Sequence, residues 1–225
     1  SIVDRMKKDS INSLKKLKDE TLVQEKYKNL NIKTTSRSGS FVSLIPKVAN
    51  EFHSDLIVMG TKGASSLKEM FIGTNTLEVI QTTKIPILTV PEKAKNNKVD
   101  KIAMAVDLQK IKNPEQLRPL LEMAKLCRAS IEFVHVMHPN DEDSTQDRFN
   151  QIMFLEKFAS EIKSNINIIT DTDILEGLSR YVETEKPDML AMLSRKHTLF
   201  ERLFTQSITN KLAFRSEIPL LVMDE

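Results

Sequence analysis

The stretch from Met59 to Thr76, MGTKGASSLKEMFIGTNT, decides how the rest of the chain is read. It begins at the end of a short apolar run, Asp55-Leu56-Ile57-Val58-Met59, which has the character of a buried strand. Gly60 and Gly63 follow with two residues between them. Gly73 and Thr74 come after nine more, at the head of a second apolar, helix-like segment. The chain has only 5 glycines in 225 residues, and this one stretch holds most of them. Glycine is used where the backbone takes positive φ or must come very close to something. A strand, a glycine loop and a helix start make a geometry in which backbone N–H groups and a helix N-terminus hold phosphate. The pattern is not a P-loop, because no Gly-Lys-Ser/Thr follows at the required spacing. The plainer reading is a loop that only turns the chain.

Working outward, Ser1 to Leu30 is rich in charge, with Ile2, Met6, Ile11, Leu14 and Leu17 spaced for one helical face. Asn31 to Arg37 is polar but β-branched and reads as a short strand, broken by Ser38-Gly39-Ser40. Ser40 is placed to cap a helix carrying Val42, Ile45, Val48, Ala49 and Phe52. Pro46 argues for a late start to that helix, near Leu44 or Ile45. After the glycine loop come a short helix from Thr74 to Thr83 and an apolar strand, Ile85 to Val90. Pro91 to Lys98 is polar, and the composition resets after it. The chain therefore divides into a first repeat at 1–92, a linker at 93–100 and a second repeat at 101–225. The second part predicts strands at Lys101–Val106, Ser130–Val136, Asn167–Thr170, Met189–Leu193 and Ile218–Met223. Between them it predicts helices at Pro114–Cys127, Thr145–Asn165, Ile174–Thr184 and Ser207–Phe214. Alternation of this kind gives a parallel α/β sheet with right-handed crossovers.

An internal repeat supports the division. Asp55 aligns with Asp188, Met59 with Met192, Phe71 with Phe204, Thr76 with Thr209, Ile85-Pro86 with Ile218-Pro219, and Leu88 with Leu221. Every pair has the same offset, 188 − 55 = 133, with no gap.

With the glycine loop, its flanking strands and the repeat in hand, the chain resembles the universal stress proteins. Nucleotide-binding members of that family carry Gly-x2-Gly-x9-Gly-Ser/Thr after their fourth strand, matched here by Gly60, Gly63, Gly73 and Thr74. The resemblance covers nearly the whole chain and implies a tandem member. Each repeat would then be a doubly wound, parallel five-stranded sheet in the order 3-2-1-4-5, incomplete in the first repeat. It implies ATP, or another adenine nucleotide, bound at the carboxyl ends of the strands, with magnesium as an optional companion. Gly60, Gly63, Gly73, Thr74, Asn75 and Thr76 would then face phosphates and ribose, with Met59 beside the ribose. In the second repeat Leu193, Lys196 and Gln206 replace the three glycines, while Ser207 and Thr209 keep hydroxyls. Asp107 matches the family's nucleoside-contacting Asp at the end of strand one, but it belongs to the repeat with the degenerate loop. A full domain has about 45 residues ahead of its second helix, so the resemblance implies a similar length of parent protein before Ser1. It also implies that the terminal strands Ile85–Val90 and Ile218–Met223 pair antiparallel, joining the repeats as a pseudo-dimer or two chains as a homodimer.

Composition limits the alternatives. The formal net charge is +2, which gives no electrostatic case for nucleic acid or an anionic membrane. A lone Cys127 rules out an intrachain disulfide and fits a reducing, cytoplasmic setting. His135 and His138 lie on a strand end and point to different faces, with no third ligand for a metal. Asp141-Glu142-Asp143 reads as a solvated loop, and the ten Met residues as core filler. No catalytic residues stand out, and Lys62, Ser65 and Ser66 are the only helpers a hydrolysis would have. The reading is a nucleotide-dependent stress-response sensor or regulator. A non-binding interaction or assembly module of the same fold is the alternative, and a weak ATP hydrolase the third.

Overall fold

The structure is a computed structural model that describes residues 2–61, 74–94, 98–108, 113–140, 145–194 and 218–224. Two compact units emerge, residues 1–44 and 45–225. The first holds helix α1 (Ile2–Leu22) and a 3-10 turn (Glu25–Tyr27). No residue of α1 is buried; Ile2, Met6, Ile11 and Leu17 are all exposed. Asn31 to Arg37 forms no strand. A strand is stable only when its backbone groups are paired, and no strand runs beside this segment among the described residues. Helix α2 (Phe41–Glu51) starts in the first unit and ends in the second. It starts early, directly after Ser40, whose carbonyl accepts the Leu44 N–H at 3.0 Å. Pro46 therefore sits inside the helix at the cost of one backbone bond, contrary to the late start expected from it.

The second unit is built on one seven-stranded sheet. Its strands are β1 (Ile57–Gly60), β2 (Ile87–Val90), β3 (Lys101–Ala105), β4 (Ser130–Met137), β5 (Ser164–Thr170), β6 (Met189–Ser194) and β7 (Leu220–Asp224). They lie in the order β1-β2-β7-β6-β3-β4-β5. Counted within their repeat, the last five follow the expected order 3-2-1-4-5. The described part of the first repeat contributes β1 and β2. All neighbours are parallel except β2 and β7, which run antiparallel. That antiparallel ladder merges the two expected sheets into one. With a strand on each side, neither β2 nor β7 keeps an edge for another copy.

The 133-residue offset is visible in the register. Ile57 pairs with Ile87, and their counterparts Leu190 and Leu220 pair likewise. The Ile57 N–H donates to the Pro86 carbonyl, and the Leu190 N–H to the Pro219 carbonyl, both at 2.9 Å. Across the antiparallel seam Leu88 faces Leu221, its own counterpart, so a local two-fold axis passes between them.

The crossover helices of the second repeat are α4 (Arg118–Cys127, entered through a 3-10 turn at Pro114–Leu117), α5 (Thr145–Phe158) and α6 (Ile174–Glu185). Helix α3 (Thr74–Thr82) belongs to the first repeat. Ile102, Met104, Leu120, Ile131, Phe133, Leu155 and Ala191 form the core, and Leu56 and Leu88 pack against its margin. Helix α5 stops at Phe158, seven residues short of the expected end, and β5 starts at Ser164, three residues early. Glu132 on β4 explains the longer strand: its buried carboxylate accepts the Asn165 and Asn167 side-chain amides, both at 2.9 Å. Gly177 lets α6 approach β4, because a Cβ there would meet Val136 Cγ1 at 2.8 Å. The expected helix at Ser207–Phe214 lies outside the described residues.

Candidate functional site

The glycine stretch begins at the carboxyl end of β1. Ile57 is buried, Met59 half-buried and Gly60 exposed. Thr61 follows, buried, and its N–H donates to the Val90 carbonyl at 3.2 Å, extending the β1–β2 pairing by one bond. Helix α3 returns at Thr74. Its inner face is held by Val79 and Ile80, both buried. Thr76 is 4% exposed, and its hydroxyl donates to the Gly60 carbonyl at 3.3 Å. This bond fixes the first turn of α3 against the last residue of β1. The first N–H groups of a helix have no intrahelical acceptor, and the first turn of α3 carries no acidic residue. The end of β1 and the start of α3 thus bring an exposed glycine, the first N–H groups of a helix and the positive end of its dipole together.

Of the expected binding residues, Met59, Gly60, Thr74, Asn75 and Thr76 lie at this junction, with Asn75 exposed. Gly63 and Gly73 lie outside the described residues, as do Lys62, Ser65 and Ser66. Thr76 has its hydroxyl proton committed to Gly60, so it positions the helix. A helix N-terminus beside a strand end is the kind of place that suits a phosphate, and Gly60 has no side chain to fill the space. Sequence reasoning missed both the Thr76–Gly60 link and the buried Thr61. A Thr in the first turn of a helix that follows a strand end was the available signal.

At the matching end of the second repeat, Leu193 stands where the first has Gly60, half-buried at the end of β6. Lys196, Gln206, Ser207 and Thr209 lie outside the described residues. Asp107 follows β3 by two residues, half-exposed. Beneath its turn sits buried His135, whose Nδ1 lies 3.2 Å from the Val106 carbonyl oxygen and 3.5 Å from the Leu108 nitrogen. His135 therefore ties the turn carrying Asp107 to β4. His138 Nδ1 accepts the Asn140 N–H at 3.2 Å. Among the described residues no three His, Cys, Asp or Glu side chains gather as a metal site, and no helix is long and apolar enough to cross a membrane. Asp141, Glu142 and Asp143 lie outside the described residues. Burial pushes the Cys127 thiol above its usual range.

Comparison with known proteins adds the following. The sequence profile of the universal stress protein family matches residues 3–91 and again 98–224. No curated protein matches the chain. Among solved structures, a universal stress protein from Archaeoglobus fulgidus superimposes with a TM-score of 0.71 at 19% identity, covering 99% of this chain and 78% of that one. A Pseudomonas aeruginosa protein of unknown function gives a TM-score of 0.63 at 13% identity, covering 95% and 77%. At these identities the likeness is one of fold.

Proposed function

This chain belongs to the universal stress protein family, and from that premise we propose that its first repeat binds an adenine nucleotide, ATP, at the junction of β1 and α3. The repeats of this reading are residues 1–92 and 101–225, with 93–100 between them. The observation that carries it is the Thr76 hydroxyl on the Gly60 carbonyl, which holds the donor end of α3 beside an exposed, side-chain-free strand end. Gly60, Gly63, Gly73, Thr74, Asn75 and the Thr76 N–H receive the phosphates, and Met59 lies against the ribose. Bound nucleotide would supply charge and bulk at this junction, and the protein acts as a cytoplasmic nucleotide-dependent regulator. The second repeat binds none, because Leu193, Lys196 and Gln206 replace the glycines and several oriented N–H groups are lost together. Magnesium, where present, is carried in with the phosphates.

Isothermal titration calorimetry with ATP tests this. At most one site per chain is expected, in the full-length protein with its first repeat complete. ATP at 100-fold its dissociation constant stabilises the folded protein by about 2.7 kcal/mol. Gly63→Lys, which copies the second repeat into the first, removes both signals and leaves the unliganded protein folded. Two equivalent sites, or full-strength binding by Gly63→Lys, overturn the assignment.

A further inference from the structure

Among the described residues strand β5 is the outermost strand at its end of the sheet and pairs only with β4. Which of its backbone groups are unpaired follows from two bonds. The Ile131 N–H donates to the Lys163 carbonyl, and the Asp171 N–H to the Met137 carbonyl, both at 3.0 Å. In a parallel ladder both backbone groups of a residue point the same way, and successive residues alternate. Asn165, Asn167 and Ile169 therefore face β4. Ser164, Ile166, Ile168 and Thr170 present their N–H and C=O groups to the open side. Asn165, Ile168 and Thr170 are exposed, Ile168 at 40%.

Open edges are usually blunted by a proline, a charge or a bulge. Ser164 to Thr170, SNINIIT, has neither proline nor charge, and its register with β4 runs unbroken for all seven residues. The charges stand just outside it and are opposite in sign: Lys163 before, Asp171 after. Lys163 is exposed. The Asp171 carboxyl is held below the usual carboxylate range by the Asp173 N–H and by Arg180.

We propose that β5 is a self-association edge, taking the β5 of a second copy antiparallel about a two-fold axis at Asn167. In that register Lys163 of each copy lies opposite the Asp171–Arg180 ion pair of the other. Ser164 falls opposite Thr170, and Ile166 opposite Ile168, so every outward-facing residue meets an outward-facing residue, as an antiparallel ladder requires. The exposed Ile168 gains an apolar cross-strand partner. On the α6 side of the edge lies a hollow of about 550 Å³ lined by Ile169, Gly177, Arg180, Tyr181 and Thr184. Asn165 and Ile169 of the second copy project to that side. The interface is self-complementary, as a two-fold contact must be, and it uses neither β2 nor β7.

Sedimentation equilibrium of the whole chain over a range of concentrations should show a reversible dimer. Ile168→Asp sets a charge against Ile166 of the other copy and should weaken it at least tenfold. Ile168→Pro should abolish it, since it removes an N–H that points outward and serves no bond to β4. The register is read independently by cysteine pairing in a Cys127→Ser background. Asn167→Cys should cross-link to its own copy under mild oxidation, and Ser164→Cys, which faces Thr170, should not. A monomer at every concentration, a dimer unaffected by Ile168→Pro, or cross-linking that favours Ser164→Cys overturns the proposal.

Discussion

The β1–β2 pair and the β6–β7 pair are the same piece of structure built twice. They share one register under a 133-residue offset, down to the proline carbonyl that starts each ladder. What differs is the neighbour. Strand β6 lies beside β3, and Ala191 is fully buried. Strand β1 has no strand on that side among the described residues, and Val58, the counterpart of Ala191, is 59% exposed. The carboxylates before the strands show the same contrast. Asp188 accepts the N–H groups of Asp100 and Lys101 at 2.9 Å each, fastening the start of β3. Its counterpart Asp55 is exposed and makes no such bond among the described residues. The offset even aligns α2 with α6, and Asn31–Arg37, which forms no strand, with β5. Local sequence sets the parallel strand pair and its register. Burial, and whether a β-prone segment becomes a strand, is set by what lies alongside.

Paired substitutions at equivalent positions sharpen this contrast. The largest difference is expected at Ala191 and Val58. Ala191→Asp places an unpaired charge in the core and should cost more than about 4 kcal/mol, enough to prevent folding. Val58→Asp should stay within about 1 kcal/mol in urea denaturation. Similar losses at both sites would mean that β1 is covered as β6 is. Next come the residues at the two-fold axis. Leu221 is fully buried and Leu88 half-buried. Leu221→Ala should therefore cost about 2–5 kcal/mol, and Leu88→Ala less. Equal costs would show that the two sides of the seam are packed alike. Asp188→Ala removes a charged acceptor from two amides and should cost about 1.5–3 kcal/mol. Asp55→Ala should change stability by no more than about 0.5 kcal/mol.

The smallest effect is a pH dependence confined to the second repeat. Burial, then the Glu132 and Glu185 carboxylates, push the Tyr181 phenol up to about 12. Its folded pKa lies above its unfolded value of about 10. The stability this contributes is present below pH 10 and is lost as pH rises toward 12. Tyr181→Phe should flatten the fall in urea midpoint across that window. The first repeat has Val48 at the matching position and contributes nothing to it. An unchanged slope would mean that the phenol is not what titrates.

Much of this architecture was legible in the residues, and the exceptions share a cause. The apolar runs of β3, β4 and β6 announce buried strands because both their faces are covered. The start of β5 was hidden because Asn165 disfavours a strand in isolation, and the expected strand began only at Asn167. The Glu132 carboxylate that satisfies them lies more than thirty residues away in sequence. Asn31–Arg37 erred the other way: its β-branched residues suit a strand that no neighbour completes. At the candidate site the glycine spacing was readable. The Thr76–Gly60 bond was not, because it depends on how α3 folds back over the strand end.

The antiparallel seam also has a kinetic consequence. Leu88 and Leu221 meet across 133 residues of chain, whereas β1 finds β2 across 30. By the logarithmic scaling of loop closure, the longer search costs about 1.3 kcal/mol more. The seam has only three registered pairs with which to offset that cost. Each pair of like strands can therefore assemble before the two are joined, and the joining is the late, slow event of folding. A chain interrupted at that stage would expose β2 and β7 side by side as two free apolar edges. Each is complementary to the other's copy in a neighbouring molecule, so the contact that completes the monomer is also the one through which crowded, half-folded chains would exchange partners.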